Sequence, residues 1–271
     1  MDKMKRNERI GMIAHILTGS PNKIFTLSHF CQMFGAAKST VSEDIDIIRT
    51  CFARFGAGEI ETVAGASGGV RYLPFPVMGG RAFIEDLCRT LSQPERVLPG
   101  GYLYINDILF CPQQIGVMGR LLASQFYKQS PDFVLTVETK GIALAMATAD
   151  ALGISCVVAR RGQQSEMEWP YVSLNYISGT SGKLQTMSVT KKLVHEGQRA
   201  LIVDDYMKAG GTAKAMMEMM REFTITVVGV GMMLSRETEA KKQVEDVKSL
   251  MIIKDVHEEL GANVVPAPWL S

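Results

Sequence analysis

The chain contains the stretch Leu201-Ile202-Val203-Asp204-Asp205-Tyr206-Met207-Lys208-Ala209-Gly210-Gly211-Thr212. A short apolar run ends in two adjacent carboxylates, and a Gly-Gly-Thr turn then opens a run with helix-forming character, residues 213–222. In a strand–loop–helix of this order, backbone N–H groups and the positive end of a helix lie where a phosphate can bind. The two aspartates beside that turn suit the hydroxyls of a sugar. The stretch therefore predicts a ribose-phosphate site; the plainer alternative is a buried strand that ends in an acidic turn.

This stretch resembles the phosphoribosyl-pyrophosphate (PRPP) signature of the type I phosphoribosyltransferases, in which a hydrophobic strand leads into two acids and a Gly-Gly-Thr loop. The resemblance implies that Asp204 and Asp205 hold the ribose hydroxyls. It also implies that the loop holds the 5′-phosphate, through Tyr206, Met207, Lys208, Ala209, Gly210, Gly211 and Thr212. Lys208 and Ala209 depart from the enzymes, which usually carry a small residue and a threonine there. Ligand binding is therefore expected more than transferase activity.

Length and composition describe a globular protein with room for two domains. The chain has 271 residues, of which 46% are hydrophobic and 21% charged. No apolar stretch approaches the roughly 20 residues that span a bilayer, and the first residues lack the apolar core of a signal peptide. The five cysteines form no Cys-x-x-Cys pair and the four histidines are dispersed. We therefore expect a cytoplasmic protein without membrane contact, disulfides or a protein metal site.

Prolines and glycines cluster at residues 73–80 and predict a domain boundary near residue 74. Residues 1–74 form the smaller predicted domain and residues 75–271 the larger. In the smaller one, apolar residues at helical spacing indicate three helices: the first from Asn7 as cap, the second after Thr26, and the third from Lys38 or Ser39. Their inward positions are Ile10, Ile13, Ala14 and Leu17, then Leu27, Phe30 and Met33, then Val41, Ile45, Ile48 and Phe52.

A tight turn at residues 35–37 joins the second and third helices, as in a helix-turn-helix. Two β-rich runs, residues 59–63 and 69–73, flank a glycine-rich tip and predict the hairpin of a winged helix. We therefore expect double-stranded DNA as a partner, with the third helix in the major groove. The predicted DNA-binding residues are Lys5, Arg6, Lys38, Ser39, Thr40, Ser42, Arg49 and Arg71.

The charge of the smaller domain supports DNA binding only weakly. Residues 1–74 hold nine Lys and Arg against seven Asp and Glu, a net charge of +2. DNA-binding domains usually present a stronger basic face, and the third helix carries Glu43 and Asp46. A helical protein-interaction module is the alternative for this domain.

The larger domain alternates strands and helices, which predicts an α/β fold with a mostly parallel sheet covered on both faces. The strands are expected at residues 131–138, 154–159, 172–175, 200–203 and 226–232, with a helix at 142–152. Ligands of such sheets bind beyond the carboxyl ends of the strands. Three loops, 138–141, 176–182 and 204–212, are expected to meet there.

Each of the other two loops suits the same ligand. Thr139, Lys140 and Gly141 resemble the pyrophosphate loop of the transferases, although a surface turn is an alternative. The hydroxyl-rich segment with Tyr176 and Ser178 resembles the mobile catalytic hood, and a hairpin without contacts is its alternative. Arg160, with Arg161 beside it, could add positive charge near the diphosphate, unless the two form a solvated surface pair. Mg²⁺ is expected to accompany PRPP, held mainly by the ligand's oxygens and by water.

The whole chain resembles the purine operon repressors of Gram-positive bacteria, in which a winged helix precedes a type I phosphoribosyltransferase-like domain. The resemblance lies in residues 38–44, 176–179 and 204–212, where Lys208-Ala209 fits the regulators better than the enzymes. It implies a homodimer that binds DNA upstream of purine genes, with PRPP as effector and without catalytic residues. It does not indicate whether the regulator represses or activates. The alternative is an active purine (xanthine-like) phosphoribosyltransferase with a DNA-binding appendage, whose base pocket residues 235–271 could supply.

Overall fold

The structure is a computed structural model that describes residues 4–65, 68–162, 170–177, 184–237 and 243–270. These residues form two compact units. The first extends to Met78 and includes Asp150–Gly153, and the second contains Gly79–Ala149 and the chain from Ile154 onward. The predicted boundary at residue 74 stays a prediction. None of the helices that the structure describes is long and apolar enough to cross a membrane.

The first unit has the element order of a winged helix. It contains α1 (Arg6–Thr18), α2 (Leu27–Phe34), α3 (Lys38–Phe55), β1 (Glu59–Val63) and β2 (Gly69–Leu73). The two strands pair antiparallel from Glu59 opposite Leu73 to Val63 opposite Gly69. The bounds of both strands agree with the predicted hairpin.

Local sequence explains where the helices of this unit begin and end. The Thr26 hydroxyl accepts the N–H of His29 at 3.2 Å and so caps α2, as the sequence predicts. Helix α2 ends before Gly35, whose φ of 60° is in the left-handed region that favours glycine. Asn7 is not the cap of α1, because the helix already begins at Arg6 and Lys5 occupies the cap position.

One inward position of α2 was predicted wrongly. Met33 is 46% exposed, and Phe34 packs against the core in its place. Phe34 lies four residues after the buried Phe30, and their rings stack with centroids 6.3 Å apart. Because α2 is only eight residues long, spacing alone did not separate the i+3 position from the i+4 position.

The second unit is built on the predicted alternation of strands and helices, with additional elements. Its helices are α4 (Gly80–Leu91), α5 (Asn106–Leu109), α6 (Pro112–Phe126), α7 (Gly141–Leu152) and α8 (Gly211–Glu222). A short hairpin, β3 (Val97–Leu98) and β4 (Tyr102–Leu103), precedes the main sheet. The strands of that sheet are β5 (Phe133–Val137), β6 (Ser155–Arg161), β7 (Tyr171–Ile177), β8 (Leu184–Thr190), β9 (Arg199–Met207), β10 (Thr226–Arg236), β11 (Val247–His257) and β12 (Gly261–Pro266).

The eight strands are ordered β12-β11-β10-β9-β5-β6-β8-β7. The five from β11 to β6 run parallel, whereas β12, β8 and β7 add antiparallel edges. All five residues of β5 are buried, as expected for a central strand covered on both faces. The predicted α/β class and mostly parallel sheet are confirmed. Because the parallel strands share a direction, the loops after β5, β6, β9 and β10 leave the same edge.

Candidate functional site

A cavity of about 640 Å³ lies at the edge of the sheet where the parallel strands end. The loop after β5 and the last residues of β9 supply most of its polar lining, and the β3–β4 hairpin with β10 and β11 supplies an apolar wall. The polar lining consists of Glu138, Thr139, Lys140, Arg161, Gln185, Asp204, Asp205, Thr212 and Arg236. The other lining residues are Leu98, Pro99, Gly101, Tyr102, Leu103, Ile105, Val137, Tyr206, Leu234, Ile253 and Val256. Two of the three predicted loops therefore meet here.

The two aspartates at the end of β9 have different surroundings. Asp204 is almost completely buried, whereas Asp205 is half-buried, and both line the cavity. The backbone N–H of Asp205 donates to Asp204 Oδ1 at 2.9 Å. Burial raises the pKa of Asp204 well above its usual value, the adjacent Asp205 raises it further, and Arg161 opposes the shift. Two carboxyl groups fixed side by side in this way present oxygens to two neighbouring hydroxyls of a ribose.

The turn after the aspartates provides a recess for an anion. Gly210 has a φ of 88° and is the cap residue of α8, which begins at Gly211. The first N–H groups of a helix have no partner within it, and they point outward at its positive end. The recess is lined by Asp204, Tyr206, Met207, Lys208, Gly210, Gly211, Thr212, Ala213 and Met232. Of the predicted phosphate loop, only Ala209 lines neither this recess nor the large cavity.

The loop after β5 reaches the same place from the neighbouring strand. Thr139 and Lys140 are exposed and line the cavity, and the peptide between Glu138 and Thr139 is cis. Gly141 is buried at the start of α7. A Cβ at Gly141 would overlap the carboxylate of Asp204, so the predicted loop and the acid pair are in direct contact.

Of the two arginines after β6, the second reaches the cavity. Arg161 lines it and is held by Glu138, whose carbonyl accepts from Nε at 2.8 Å and whose carboxylate accepts the Arg161 N–H. Arg160, the predicted residue, is not part of the lining, because successive side chains of a strand point to opposite faces. The sequence did not reveal which of the two adjacent arginines would face the site.

Only residues 176 and 177 of the third predicted loop are described, and Ser178 lies outside the described residues. Tyr176 is buried, and its hydroxyl donates to Gln185 Oε1 at 2.8 Å. Burial raises the pKa of Tyr176, and the lowering effects of Arg161 and the Thr212 hydroxyl only partly offset this. Tyr176 therefore lies behind the cavity, which Gln185 and Thr212 line.

The wall formed by the β3–β4 hairpin, β10 and β11 was predicted only in part. Residues 235–271 were given as a possible base pocket, and Arg236, Ile253 and Val256 of that range line the cavity. Tyr102 and Tyr206 line it, whereas Tyr104 does not and instead lies against Arg96. Arg236 lies at the end of β10 and faces Tyr206. Burial raises the pKa of the Tyr206 phenol, and the positive charge of Arg236 partly offsets this rise. The position of Arg236 at a strand's carboxyl end was the signal that could have identified it.

The predicted DNA-binding residues lie in the first unit. A groove of about 650 Å³ lies there between α3 and the hairpin of β1 and β2, which we call the wing. Lys38, Ser42 and Arg49 line this groove on α3. Its other lining residues are Thr26, Leu27, Ser28, Ile45, Asp46, Thr62, Val63, Ala64, Gly65, Gly68, Gly69 and Val70. Lys5, Arg6, Ser39, Thr40 and Arg71 lie outside the lining.

The three predicted DNA-binding arginines are paired with acids of the same unit. Arg6 contacts Glu43 and Asp44, Arg49 contacts Asp46, and Arg71 contacts Glu61. By contrast, Lys5 and Lys38 are in no ion pair with any residue that the structure describes. Among those same residues there is also no group of three or more His, Cys, Asp or Glu side chains suited to a metal ion.

Comparison with known proteins agrees with these two units. Residues 5–74 match the family described as bacterial purine repressor, N-terminal, and residues 113–264 match the phosphoribosyl transferase domain. The chain is 38% identical to the purine biosynthesis transcriptional repressor PurR of Bacillus subtilis, over 94% of this chain and 90% of that protein. It is 34% identical to the purine biosynthesis transcriptional activator PurR of Lactococcus lactis, over 92% of each. The chain belongs to this PurR family.

Phosphoribosyltransferase enzymes also match part of this PurR-family member. A xanthine phosphoribosyltransferase of Deinococcus deserti is 32% identical over 53% of this chain and 76% of the enzyme. An adenine phosphoribosyltransferase structure from Thermoanaerobacter pseudethanolicus has a TM-score of 0.52 at 20% identity, covering 62% of this chain and 98% of its own. These matches confirm the predicted phosphoribosyltransferase fold.

Proposed function

We propose that the chain is a DNA-binding regulator of purine biosynthesis and salvage genes that uses PRPP as its effector. The observation that carries the proposal is the meeting of the buried acid pair Asp204-Asp205 with the helix start at Gly211, within one cavity. The winged-helix unit on the same chain and the PurR-family membership support the DNA-binding half.

In the proposed complex each part of PRPP has a suitable counterpart. Asp204 and Asp205 would accept the ribose hydroxyls, and the N–H groups at the start of α8 would bind the 5′-phosphate. Lys140 and Arg161 would face the diphosphate from the neighbouring strand ends. Charge-assisted hydrogen bonds of this kind are roughly twice as strong as neutral ones, which helps to offset desolvation of a highly charged ligand.

Mg²⁺ would be held mainly by diphosphate oxygens and water, because that ion rarely uses an all-protein cage. It would reduce the negative charge that the protein must accommodate beside Asp204 and Asp205. We also propose a cytoplasmic homodimer acting on double-stranded promoter DNA, in line with the resemblance to purine operon repressors.

PRPP binding at this site would act on DNA binding through coupling between the two units. Reciprocity requires that DNA change the affinity for PRPP by the same factor by which PRPP changes the affinity for DNA. Relatives are named both as repressor and as activator, so the proposal concerns effector control and not its direction.

The second candidate function is a purine phosphoribosyltransferase, favoured by the similarity of the larger unit to xanthine phosphoribosyltransferase. The apolar wall of the cavity, with Tyr102 and Tyr206, offers a surface on which a base could stack. The two candidates share the PRPP site and differ in whether a base is consumed.

Isothermal titration of the full chain with PRPP and Mg²⁺ separates these possibilities, with and without guanine, hypoxanthine or xanthine. A saturating isotherm without pyrophosphate release supports an effector site, whereas pyrophosphate formed with a base present supports the enzyme. The variant Asp204→Asn/Asp205→Asn should abolish the isotherm, while Asp246→Asn, an exposed acid of the same unit, should leave it unchanged. No heat with the unaltered protein would overturn the PRPP assignment.

A further inference from the structure

The guanidinium of Arg49 is bonded to the wing. Its Nε donates to the carbonyl of Ile60 at 3.0 Å, and its Nη2 donates to Thr62 Oγ1 at 2.9 Å. Its Nη1 contacts Asp46, one turn earlier on α3. Each of the three guanidinium nitrogens therefore has an acceptor within the first unit, and two of the three acceptors lie on β1.

These bonds join the two walls of the groove. Arg49 and Asp46 lie on the α3 wall, whereas Thr62 lies on the wing wall, and all three residues line the space between. The planar fork of an arginine fixes both the distance and the direction of its acceptors. This one side chain therefore ties the rim of β1 to α3, beside the core contacts that Ile60 of β1 makes.

Lys38 differs from Arg49 although both line the groove. Lys38 is exposed in the first turn of α3, and no ion pair engages it within the described part of the chain. A DNA phosphate could bind its ammonium without breaking an existing contact. Arg49 would have to give up bonds to β1 first, and a hydrogen bond to a charged group is worth more than a neutral one.

We propose that Arg49 is a positioning residue that holds the wing against α3, and that Lys38 supplies the phosphate contact in this groove. The inference rests on the proposed DNA-binding function and assigns separate roles to two residues of the DNA-binding surface. Loss of Arg49 would let the wing move relative to α3, so that the two no longer present one preformed surface to DNA. Loss of Lys38 would remove one charge contact and leave that surface intact.

The dependence of affinity on salt distinguishes the two roles. Each phosphate neutralised by a protein cation contributes about 0.9 to the slope of log K against log salt concentration. The experiment uses the full chain, a purine-gene promoter duplex and a scrambled duplex, with the variants Lys38→Met, Arg49→Met, Arg49→Lys and Thr62→Val. Lys38→Met should weaken binding to both duplexes and reduce the slope by about one.

Arg49→Met and Arg49→Lys should behave alike. Both should weaken binding to the promoter about tenfold, the effect of losing one hydrogen bond to a charged group. The salt slope should stay unchanged, and the preference for the promoter over the scrambled duplex should fall. Lysine keeps the charge but cannot reach Ile60 and Thr62 together. As a single change, Thr62→Val should weaken promoter binding. Combined with Arg49→Lys it should have little further effect, because the two changes remove the same hydrogen bond.

Two results would overturn the inference: a slope reduced by about one in Arg49→Met, or full promoter affinity in Arg49→Lys. If Arg49→Met does not fold, as judged by circular dichroism, Arg49→Lys and Thr62→Val decide the question. Hydrogen exchange of the β1 amides in the free protein provides a readout without DNA, and both Arg49 variants should accelerate it. If the unaltered chain does not prefer the promoter duplex to the scrambled duplex, the proposed function itself is contradicted. This comparison is made first, before any variant is measured.

Discussion

Gly141 lies against the carboxylate of Asp204, so closely that a Cβ at position 141 would overlap Oδ1 and lie 2.6 Å from Thr136 Oγ1. The start of α7 and the end of β9 are therefore in contact through a residue without a side chain. Any larger residue at position 141 must displace the buried acid, because the other neighbour, Thr136, is itself fully buried.

Gly141→Ala should reduce PRPP affinity at least tenfold, since it moves the carboxylate proposed to hold the ribose. Isothermal titration with Mg²⁺ present measures the change. The matched control is Gly116→Ala in α6, where an added Cβ meets only the end of the Arg120 side chain at 3.6 Å. The control should keep full affinity and stabilise the helix by roughly 0.5–1 kcal/mol. Equal affinities for the two variants would contradict the assigned contact.

The pH dependence of stability should report the burial of Asp204. Its pKa is raised in the folded chain, so the folded state binds the proton more tightly than the unfolded state does. The resulting stability is present below the unfolded pKa and is lost as pH rises through the folded pKa. Asp204→Asn should therefore be more stable than the unaltered chain at pH 7, because it removes the cost of ionising a buried carboxyl group.

Urea unfolding between pH 4 and pH 8 measures this difference. Asp205→Asn supplies the partial control, because it removes the neighbouring charge and leaves Asp204 buried. It should show a smaller gain in stability at neutral pH. A loss of stability at pH 7 in Asp204→Asn would show that the ionised carboxylate is needed by the fold.

The elements that could be predicted are those whose signals are local. The wing strands Glu59–Val63 and Gly69–Leu73 agree with the prediction residue for residue, because alternating β-formers flank a glycine tip. Helix α8 was predicted from residue 213 and begins at Gly211, where its cap is a glycine with positive φ. The acid pair and the phosphate recess follow from one continuous stretch, so they required no long-range information.

The elements that were missed depend on packing between distant segments. Helix α6 contains Gly116 and Gly119, both poor helix formers, and no helix was predicted there. A Cβ at Gly119 would lie 2.6 Å from the backbone of Ala147, so the residue that lowers helix propensity permits close packing against α7. Likewise, only the assembled sheet reveals that Arg161, and not Arg160, faces the cavity.

The hydroxyl of Thr136 is fully buried in β5 and bonds to no other described residue. An unsatisfied buried hydroxyl costs free energy, and its replacement by an apolar group of the same shape is close to neutral or stabilising. Thr136→Val should therefore change the free energy of unfolding by only about 0–1 kcal/mol in the stabilising direction. Urea unfolding without ligand measures it, and Thr136→Ala, which leaves a cavity, should be destabilised. Clear destabilisation of the valine variant would mean that the hydroxyl has a bonding partner in solution.

Asp44 and Arg9 form a buried ion pair between α3 and α1. The Asp44 side chain is completely buried and that of Arg9 is 10% exposed, with Arg6 as a second partner 3.3 Å from Asp44. Removing one member of a buried pair leaves an uncompensated charge and typically costs 3–5 kcal/mol. Asp44→Ala should therefore destabilise the first unit by about that amount, and DNA affinity should fall with it. Calorimetric unfolding of the full chain measures the cost.

Two further variants separate the buried pair from the exposed one. Arg6→Ala removes a half-exposed partner and should cost no more than about 1 kcal/mol. Arg9→Met with Asp44→Leu removes both buried charges and should be more stable than Asp44→Ala, because no charge is left unpaired in the interior. If the double variant is instead the least stable of the three, the ion pair itself, and not the avoidance of an unpaired charge, holds α3 against α1. In that case the orientation of the DNA-reading helix depends directly on this pair.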